Sequence, residues 1–392
     1  MKTLILFGLS IIMGSAGLQA QSGFTQTLSE IESNNTSLAA MRQISEAGKI
    51  SSRTALFLQN PEIGLNYLWG APGEIGNRTD FSVMQSFDFP SAYKFKSNIA
   101  DLRVVQADLE YQSRKIELLY EAHLICIDLV FHQKLKAENA IRLEYARNIA
   151  DAVEKMYEQG KSGILEYNKA RLNLANAVND QSILDANIKA LKAELVRYNG
   201  GKDLNFDMSE YPAILLPGDF DEWYATVESR NPLLQYMSKQ VEISENEEKL
   251  SRALSLPKFS AGYMSEKVVG EKYQGLSVGM SVPLWEKKNT VKAARAQTAA
   301  NIALVSDSQL QLYSMLKNHY NKALDFQKAA DGYSSSLLSV NNAELVKRAY
   351  DMGEISLIEY LVEVQFYYET LVKAMETRRA MHRAFAELEK WD

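Results

Sequence analysis

The sequence predicts a mainly α-helical protein with a small β part, built as a duplicated module of long antiparallel helices and two β-hairpins. Three observations carry this reading. The first is an internal repeat. Pro61-Glu62-Ile63-Gly64-Leu65-Asn66-Tyr67 recurs as Pro257-Lys258-Phe259-Ser260-Ala261-Gly262-Tyr263. Tyr157-Glu158-Gln159-Gly160, followed by Glu166-Tyr167, recurs as Tyr350-Asp351-Met352-Gly353, followed by Glu359-Tyr360. The two copies are separated by the length of a domain, far beyond the roughly 20–50-residue period of solenoid units. The second is proline placement. None occurs between Pro90 and Pro212, or after Pro283, and a proline in a helix interior costs about 3 kcal/mol. The third is period-two alternation of apolar and polar residues ahead of each proline-free stretch.

The elements follow in order. Residues 1–20 read as a secretory signal: Lys2, an apolar run from Leu4 to Met13, and Leu18-Gln19-Ala20 ahead of Gln21. That run is shorter than the roughly 20 residues of a spanning helix. Residues 21–59 form an N-terminal helical segment. Residues 60–89 form a first hairpin, in which Ile63, Leu65, Tyr67 and Trp69 alternate with Glu62, Gly64 and Asn66. Across a polar loop, Phe81, Val83, Phe87 and Phe89 continue the pattern. Residues 90–199 form the first long helical hairpin, with a helix over 91–157 of roughly 100 Å and a return over 164–198. Residues 200–256 form a linker with a helix. Residues 257–285 form a second hairpin, where Leu276, Val278, Met280, Val282 and Leu284 alternate with Ser277, Gly279, Ser281 and Pro283. Residues 286–392 form the second long hairpin, a helix over 286–350 and a return over 355–390.

Gly160 and Gly353 are placed to end the long helices in the left-handed conformation. Ser162 and Ser356 can cap the returns, but only Ser356 has an acid, Glu359, at capping-box spacing. Leu165, Leu172, Ala175, Val178 and Leu184, and in the second copy Ile358, Leu361, Val362, Phe366, Leu371 and Met375, form apolar stripes expected to be buried seams between helices.

Each strand is about nine residues long, enough to cross an outer membrane at a tilt. Tyr67, Trp69, Phe87, Phe89, Tyr263 and Trp285 cluster near strand ends, where a headgroup belt takes aromatic residues. Val278, Met280, Val282 and Leu284 are the candidate lipid-facing residues. Four strands cannot close a barrel alone, and open edges are excluded in lipid and aggregation-prone in water. Three chains donating four strands each would close a twelve-stranded barrel. The alternatives are two hairpins of a soluble sheet, or a periplasmic structural coiled-coil protein.

Acidic and basic residues, 49 and 43 for a net charge of −6, are interleaved without a basic block, which argues against a nucleic-acid partner. The one cysteine, Cys126, sits in an apolar run and reads as a small core residue. His123, His132, His319 and His382 are isolated and show no metal-ligand spacing. Nucleophile motifs and phosphate loops are missing, so no catalytic, metal or cofactor site is expected, and the protein reads as a non-enzyme.

With these elements in place, the chain resembles the TolC-like outer-membrane efflux proteins over roughly residues 25–390. The resemblance rests on Gly275-Leu-Ser-Val-Gly-Met-Ser-Val-Pro283-Leu-Trp-Glu-Lys-Lys-Asn289, on Tyr350-x-x-Gly353 followed by Glu359, and on Leu28-x-x-Ile31-x-x-Asn34-Asn35. It implies a homotrimer in the outer membrane of a Gram-negative bacterium, extending into the periplasm. Its twelve-stranded β-barrel would continue as an α-barrel. The implied partners are outer-membrane lipid, a periplasmic adaptor and an inner-membrane pump, with no cofactor. The implied function is the passive exit duct of a tripartite efflux or export system. The helical turns would form a periplasmic gate, with Tyr157, Gly160 and Glu166 at the first and Tyr350, Gly353 and Glu359 at the second. Glu359 matches the first acidic position of the family's entrance ring, whereas the second is Val362 here.

Overall fold

The computed structural model describes residues 23–71, 76–339 and 342–391. The signal segment 1–20 lies outside them, as do residues 72–75 of the first hairpin loop. Helix α1 covers residues 23–34. It is followed by α2 (Thr36–Ser52), β1 (Glu62–Leu68), β2 (Arg78–Phe87), α3 (Pro90–Glu158), α4 (Ile164–Tyr198), α5 (Phe220–Arg230) and α6 (Pro232–Ala253). The second copy supplies β3 (Lys258–Val268), β4 (Glu271–Ser281), α7 (Thr290–Ser339), α8 (Asn342–Asp351) and α9 (Leu357–Glu389). The first long helix and its return therefore match their predicted spans within a residue. The predicted 286–350 helix begins later, at Thr290, because residues 286–289 form a turn that ends at Asn289, φ 65°; its described parts are Thr290–Ser339 and Asn342–Asp351. The predicted linker contains two helices, because Asn231 opens α6 by accepting the Leu233 and Leu234 amides on its side chain, with Pro232 in the first turn.

The chain divides into two units, each built from discontinuous stretches. One holds the four strands, with Ala40–Ser113 and Glu228–Gln311; the other holds the remaining described residues. Within the strand-bearing unit the sheet is antiparallel throughout, in the order β1-β2-β3-β4. The central β2–β3 pairing joins the two sequence repeats and leaves β1 and β4 as open edges. Val269 and Gly270, at φ 48° and 88°, form the two-residue β3–β4 turn, a backbone whose twist matches that of the strands it connects. The strands stop short of the predicted Phe89 and Leu284. Pro283 has no N–H to extend the ladder, and Pro90 already begins α3.

In the helical unit, Phe24, Ile31, Cys126, Ile127, Val130, Leu195 and Phe206 share one core. Burial raises the Cys126 thiol pKa, in keeping with an apolar packing role. Asn34 and Asn35 tie α1 to the end of α4. Asn34 donates to the Asn199 side chain at 3.0 Å, and Asn35 donates to the Tyr198 carbonyl at 2.7 Å while its own oxygen accepts the Leu38 amide. Gly200, at φ 68°, closes α4 beside this network; a Cβ there would stand 2.3 Å from the Asn34 carbonyl oxygen.

The predicted seams hold in part: Leu184 is buried, and Leu361 and Met375 pack against buried clusters. Along α4 the buried residues are Ala170, Ala177 and Leu184, spaced by sevens, and then Leu195 and Tyr198 at its end. Leu165, Leu172, Ala175 and Val178 are exposed, as are Ile358, Val362 and Phe366 on α9. Small residues let two helices approach closely, so the contact within the chain uses the alanines. The bulkier side chains stand on a second face that no described element of the chain covers.

Candidate functional site

Two constellations concern function, and each lies within one unit. The first is the sheet. Residues directly paired across an antiparallel ladder project to the same face, so the register assigns every strand side chain. One face carries the rungs Phe87–Phe259–Met280, Gln85–Ala261–Val278, Ile63–Val83–Tyr263–Leu276 and Leu65–Phe81–Ser265–Gln274. The other carries Ser86–Ser260–Gly279, Glu62–Met84–Gly262–Ser277, Gly64–Ser82–Met264–Gly275 and Asn66–Asp80–Glu266–Tyr273. The first is largely apolar; the second is mostly small or polar, with Met84, Met264 and Tyr273 as its large side chains. Leu276 is 89% exposed and Val278 82% exposed, although burying such side chains would be worth roughly 1.5–3 kcal/mol each. Val278 and Met280 lie within the ladder. Val282 and Leu284, also proposed as strand residues, lie beyond its last rung and are likewise exposed.

Of the predicted aromatic belt, Trp69 and Trp285 are both 81% exposed. Tyr67 packs edge-on against Trp69 and accepts a hydrogen bond from Asn77 at 2.6 Å.

The second constellation is the pair of helical turns, which the structure brings together. Val153 of α3, Ala170 and Tyr167 of α4, Tyr350 of α8, and Leu357 and Leu361 of α9 form one cluster. Gly160 and Gly353 have φ of 71° and 75°. In both turns the glycine amide bonds the carbonyl of the preceding tyrosine, Tyr157 or Tyr350, at 2.9 Å. The amide after each glycine bonds back five residues, Lys161 to Met156 and Glu354 to Ala349. Each is a Schellman closure, which satisfies carbonyls that the helix end leaves open.

The two acids are not equivalent. Glu359 accepts the Ser356 amide and hydroxyl, both at 2.8 Å, while its own amide donates to Ser356, completing a reciprocal capping box. These bonds hold its pKa below the usual carboxylate value, the backbone bond most of all. Glu166 accepts from the Ser162 hydroxyl at 2.6 Å and the Gly163 amide at 3.2 Å, which lower its pKa in the same way. Glycine has no side chain with which to reciprocate, so the first turn has no full box, as the spacing predicts. Both carboxylates are therefore engaged as helix-start caps.

Tyr350 contributes its ring rather than its hydroxyl: among the described residues that hydroxyl has no hydrogen-bond partner. Burial raises its pKa, with smaller contributions from Glu166 and Asp351. Tyr157 stacks on Tyr167 at 4.8 Å, and Tyr350 meets Tyr360 at 5.1 Å. The residue after each acid, Tyr167 and Tyr360, thus forms half of an aromatic clasp. The Glu-Tyr repeat carried that signal.

The four histidines do not assemble into a ligand set, and no metal-competent cluster occurs among the described residues. His123 packs edge-on against Phe24 and His382 stacks on Tyr211 at 4.1 Å. Burial pushes their pKa values down to about 4 and about 3. No described helix is long and apolar enough to cross a membrane.

No protein-family model matches the sequence, and no curated protein does. Solved structures do match. The Campylobacter jejuni CmeC outer membrane channel is similar at TM-score 0.78 and 16% identity, over 94% of this chain and 85% of that one. The outer membrane protein VceC from Vibrio cholerae is similar at TM-score 0.75 and 12% identity, over 96% of each chain. The open-state MtrE outer membrane channel of Neisseria gonorrhoeae is similar at TM-score 0.70 and 14% identity, over 94% and 88%. The chain therefore has the fold of these outer-membrane channels along nearly its whole length.

Proposed function

We propose that three copies of this chain assemble into a passive exit duct across the outer membrane, the outermost part of a tripartite efflux or export system. The observation that carries this reading is the sheet: it is largely apolar on one face, mostly small or polar on the other, and open at both edges. Water explains neither the exposed apolar face nor the open edges. A closed barrel in lipid explains both, with the apolar rungs toward acyl chains and β4 of one copy against β1 of the next. Three copies then supply the strands of a twelve-stranded barrel, within the known range for such proteins. Small side chains on the inner face (Gly64, Ser82, Gly262, Gly275, Ser277, Gly279) leave the bore open to solutes.

The second, uncovered face of α4 and α9 fits the same assembly. A helix in a closed ring has two neighbours, one within the chain and one beyond it. Leu165, Leu172, Val362 and Phe366 supply apolar surface for the outer contact.

The duct performs no chemistry, so an inner-membrane pump would supply the energy and a periplasmic adaptor would connect it. The paired helical turns, with their glycine closures and tyrosine clasps, are the proposed periplasmic gate. The soluble coiled-coil alternative accounts for the helices and leaves the apolar sheet face without a function. The test is fractionation followed by reconstitution. The chain should leave outer membranes only in detergent, run as a trimer and conduct ions in planar bilayers. A detergent-independent monomer with intact strand content would overturn the assignment.

A further inference from the structure

Beyond the apolar rungs the sheet has one more outward rung, Tyr67–Thr79–Lys267–Lys272, at the hairpin end. Lys267 and Lys272 are direct cross-strand partners, so two lysine side chains leave adjacent positions on the face that otherwise carries Leu276, Val278 and Met280. Both are exposed, and among the described residues neither has an ion-pair partner. Like charges directly opposite on a ladder repel each other. Neutralising acids are close in sequence, since Glu266 precedes Lys267 and Glu271 precedes Lys272. Strand alternation turns both acids, with Asp80, to the opposite face, where Arg78 pairs with Asp80 and Glu266 at 2.7 and 3.2 Å. The charge is thus sorted by face, and the lysine pair is left without a counter-ion from its own sheet.

Its height on the sheet identifies what it meets. The ends of β2, β3 and β4 that adjoin helices α3, α6 and α7 are Phe87, Lys258 and Ser281. The lysine rung lies at the opposite end, one rung beyond Leu65–Phe81–Ser265–Gln274. Tyr67 shares the rung, with its hydroxyl tied to Asn77, as expected where hydrocarbon gives way to headgroups.

We propose that Lys267 and Lys272 form a binding site for the phosphate of a lipid headgroup in the membrane leaflet that surrounds the hairpin ends, with the Thr79 hydroxyl as a neighbouring donor. The ligand class is an anionic phospholipid or phosphorylated glycolipid. A phosphate bridging two ammonium groups removes the repulsion that the register creates. The inference rests on the barrel reading, because only a membrane brings headgroups to this rung.

The test uses the full chain, purified in detergent as the trimer, with bisphosphorylated lipid A, the same lipid dephosphorylated, and inorganic phosphate as probes. Binding is read by native mass spectrometry and by the midpoint of thermal trimer dissociation. In the wild type, bisphosphorylated lipid A should form adducts and raise that midpoint, whereas the dephosphorylated lipid should do neither. The Lys267→Gln/Lys272→Gln variant should still form the trimer yet bind bisphosphorylated lipid A about tenfold more weakly or worse. Glu266→Gln/Glu271→Gln, on the other face, should leave binding unchanged. Equal binding by the lysine variant, or by the dephosphorylated lipid, would overturn the site. Inorganic phosphate binding as tightly as the lipid would also overturn it, in favour of a free-anion site. A chain that needs no detergent and forms no trimer would overturn the barrel reading itself, a result separable from the others before any lipid is added.

Discussion

Val278→Arg tests the register on which the membrane assignment depends. Val278 stands on the rung Gln85–Ala261–Val278, between Phe87–Phe259–Met280 and Ile63–Val83–Tyr263–Leu276, at mid-height of the apolar face. An arginine at the bilayer midplane of a barrel costs about 2–4 kcal/mol. In a trimer the substitution enters three times, about 6–12 kcal/mol if the costs add, comparable to the roughly 5–15 kcal/mol that stabilises a typical domain. Ser277, one residue earlier, stands on the opposite face beside Gly262, in the rung that contains Glu62 and Met84. An arginine there points into water, and its cost should remain within about 0.5 kcal/mol. The assay is the fraction of chain recovered from outer membranes as a heat-modifiable trimer, with export levels matched. Val278→Arg should reduce that fraction severely, and Ser277→Arg should approach wild type. Equal accumulation of the two variants, or a greater defect at Ser277, would refute the facing of the sheet and the lipid contact derived from it.

Gly200→Ala should destabilise the helical unit more than Gly201→Ala. Both residues have positive φ, but only at Gly200 does a Cβ meet backbone, at 2.3 Å from the Asn34 oxygen, adding an overpacking cost of about 1–3 kcal/mol; chemical denaturation of the two variants decides it. His123 and His382 have folded pKa values of about 4 and about 3, below the unfolded value of about 6.5. The unfolded chain therefore binds more protons in acid. Their contribution is fully present above about pH 6.5 and falls as pH drops toward the folded values, by about 1 kcal/mol per pH unit for each imidazole. Melting temperatures between pH 7 and pH 4.5 should show this slope, and His123→Phe/His382→Phe should flatten it. At the turns, Glu359→Gln keeps an acceptor for the Ser356 cap but removes the charge. If three carboxylates face one entrance, cation selectivity in planar bilayers should fall; unchanged selectivity would leave Glu359 as a cap alone. Tyr350→Phe should conduct as wild type, because that hydroxyl has no partner among the described residues, whereas Tyr350→Ala, which empties the cluster with Val153 and Tyr167, should open the turns.

Much of this architecture was legible because it is written in local rules. Proline-free stretches permit helix, Gly160 and Gly353 stop it, Ser356 and Glu359 restart it, and period-two alternation marks strands. Each depends on a residue and its near neighbours in the chain, so local signals place most helix ends within a residue or two, the start of α7 at Thr290 rather than residue 286 being the exception. The shortfalls arise where distant segments compete. The Leu165 and Leu172 stripe was expected to be buried and is exposed, because which face of α4 meets its partner depends on the close approach that Ala170 and Ala177 permit. The alternation carries β4 through Leu284, but the ladder needs an amide that Pro283 lacks. The pairing of Tyr350 with the first turn joins residues nearly two hundred positions apart, and no local pattern encodes it.

By itself, then, the sequence determined the kind, order and duplication of the elements, since these follow from backbone sterics and side-chain periodicity. Only the tertiary structure decided which residues share a face: the β2–β3 register that gathers the apolar side chains of both repeats on one side, the two helical turns packed into one cluster, and the lysine rung separated from its acids. The physical reason is that a one-residue shift of register turns every strand side chain to the other face while leaving each strand's own pattern unchanged.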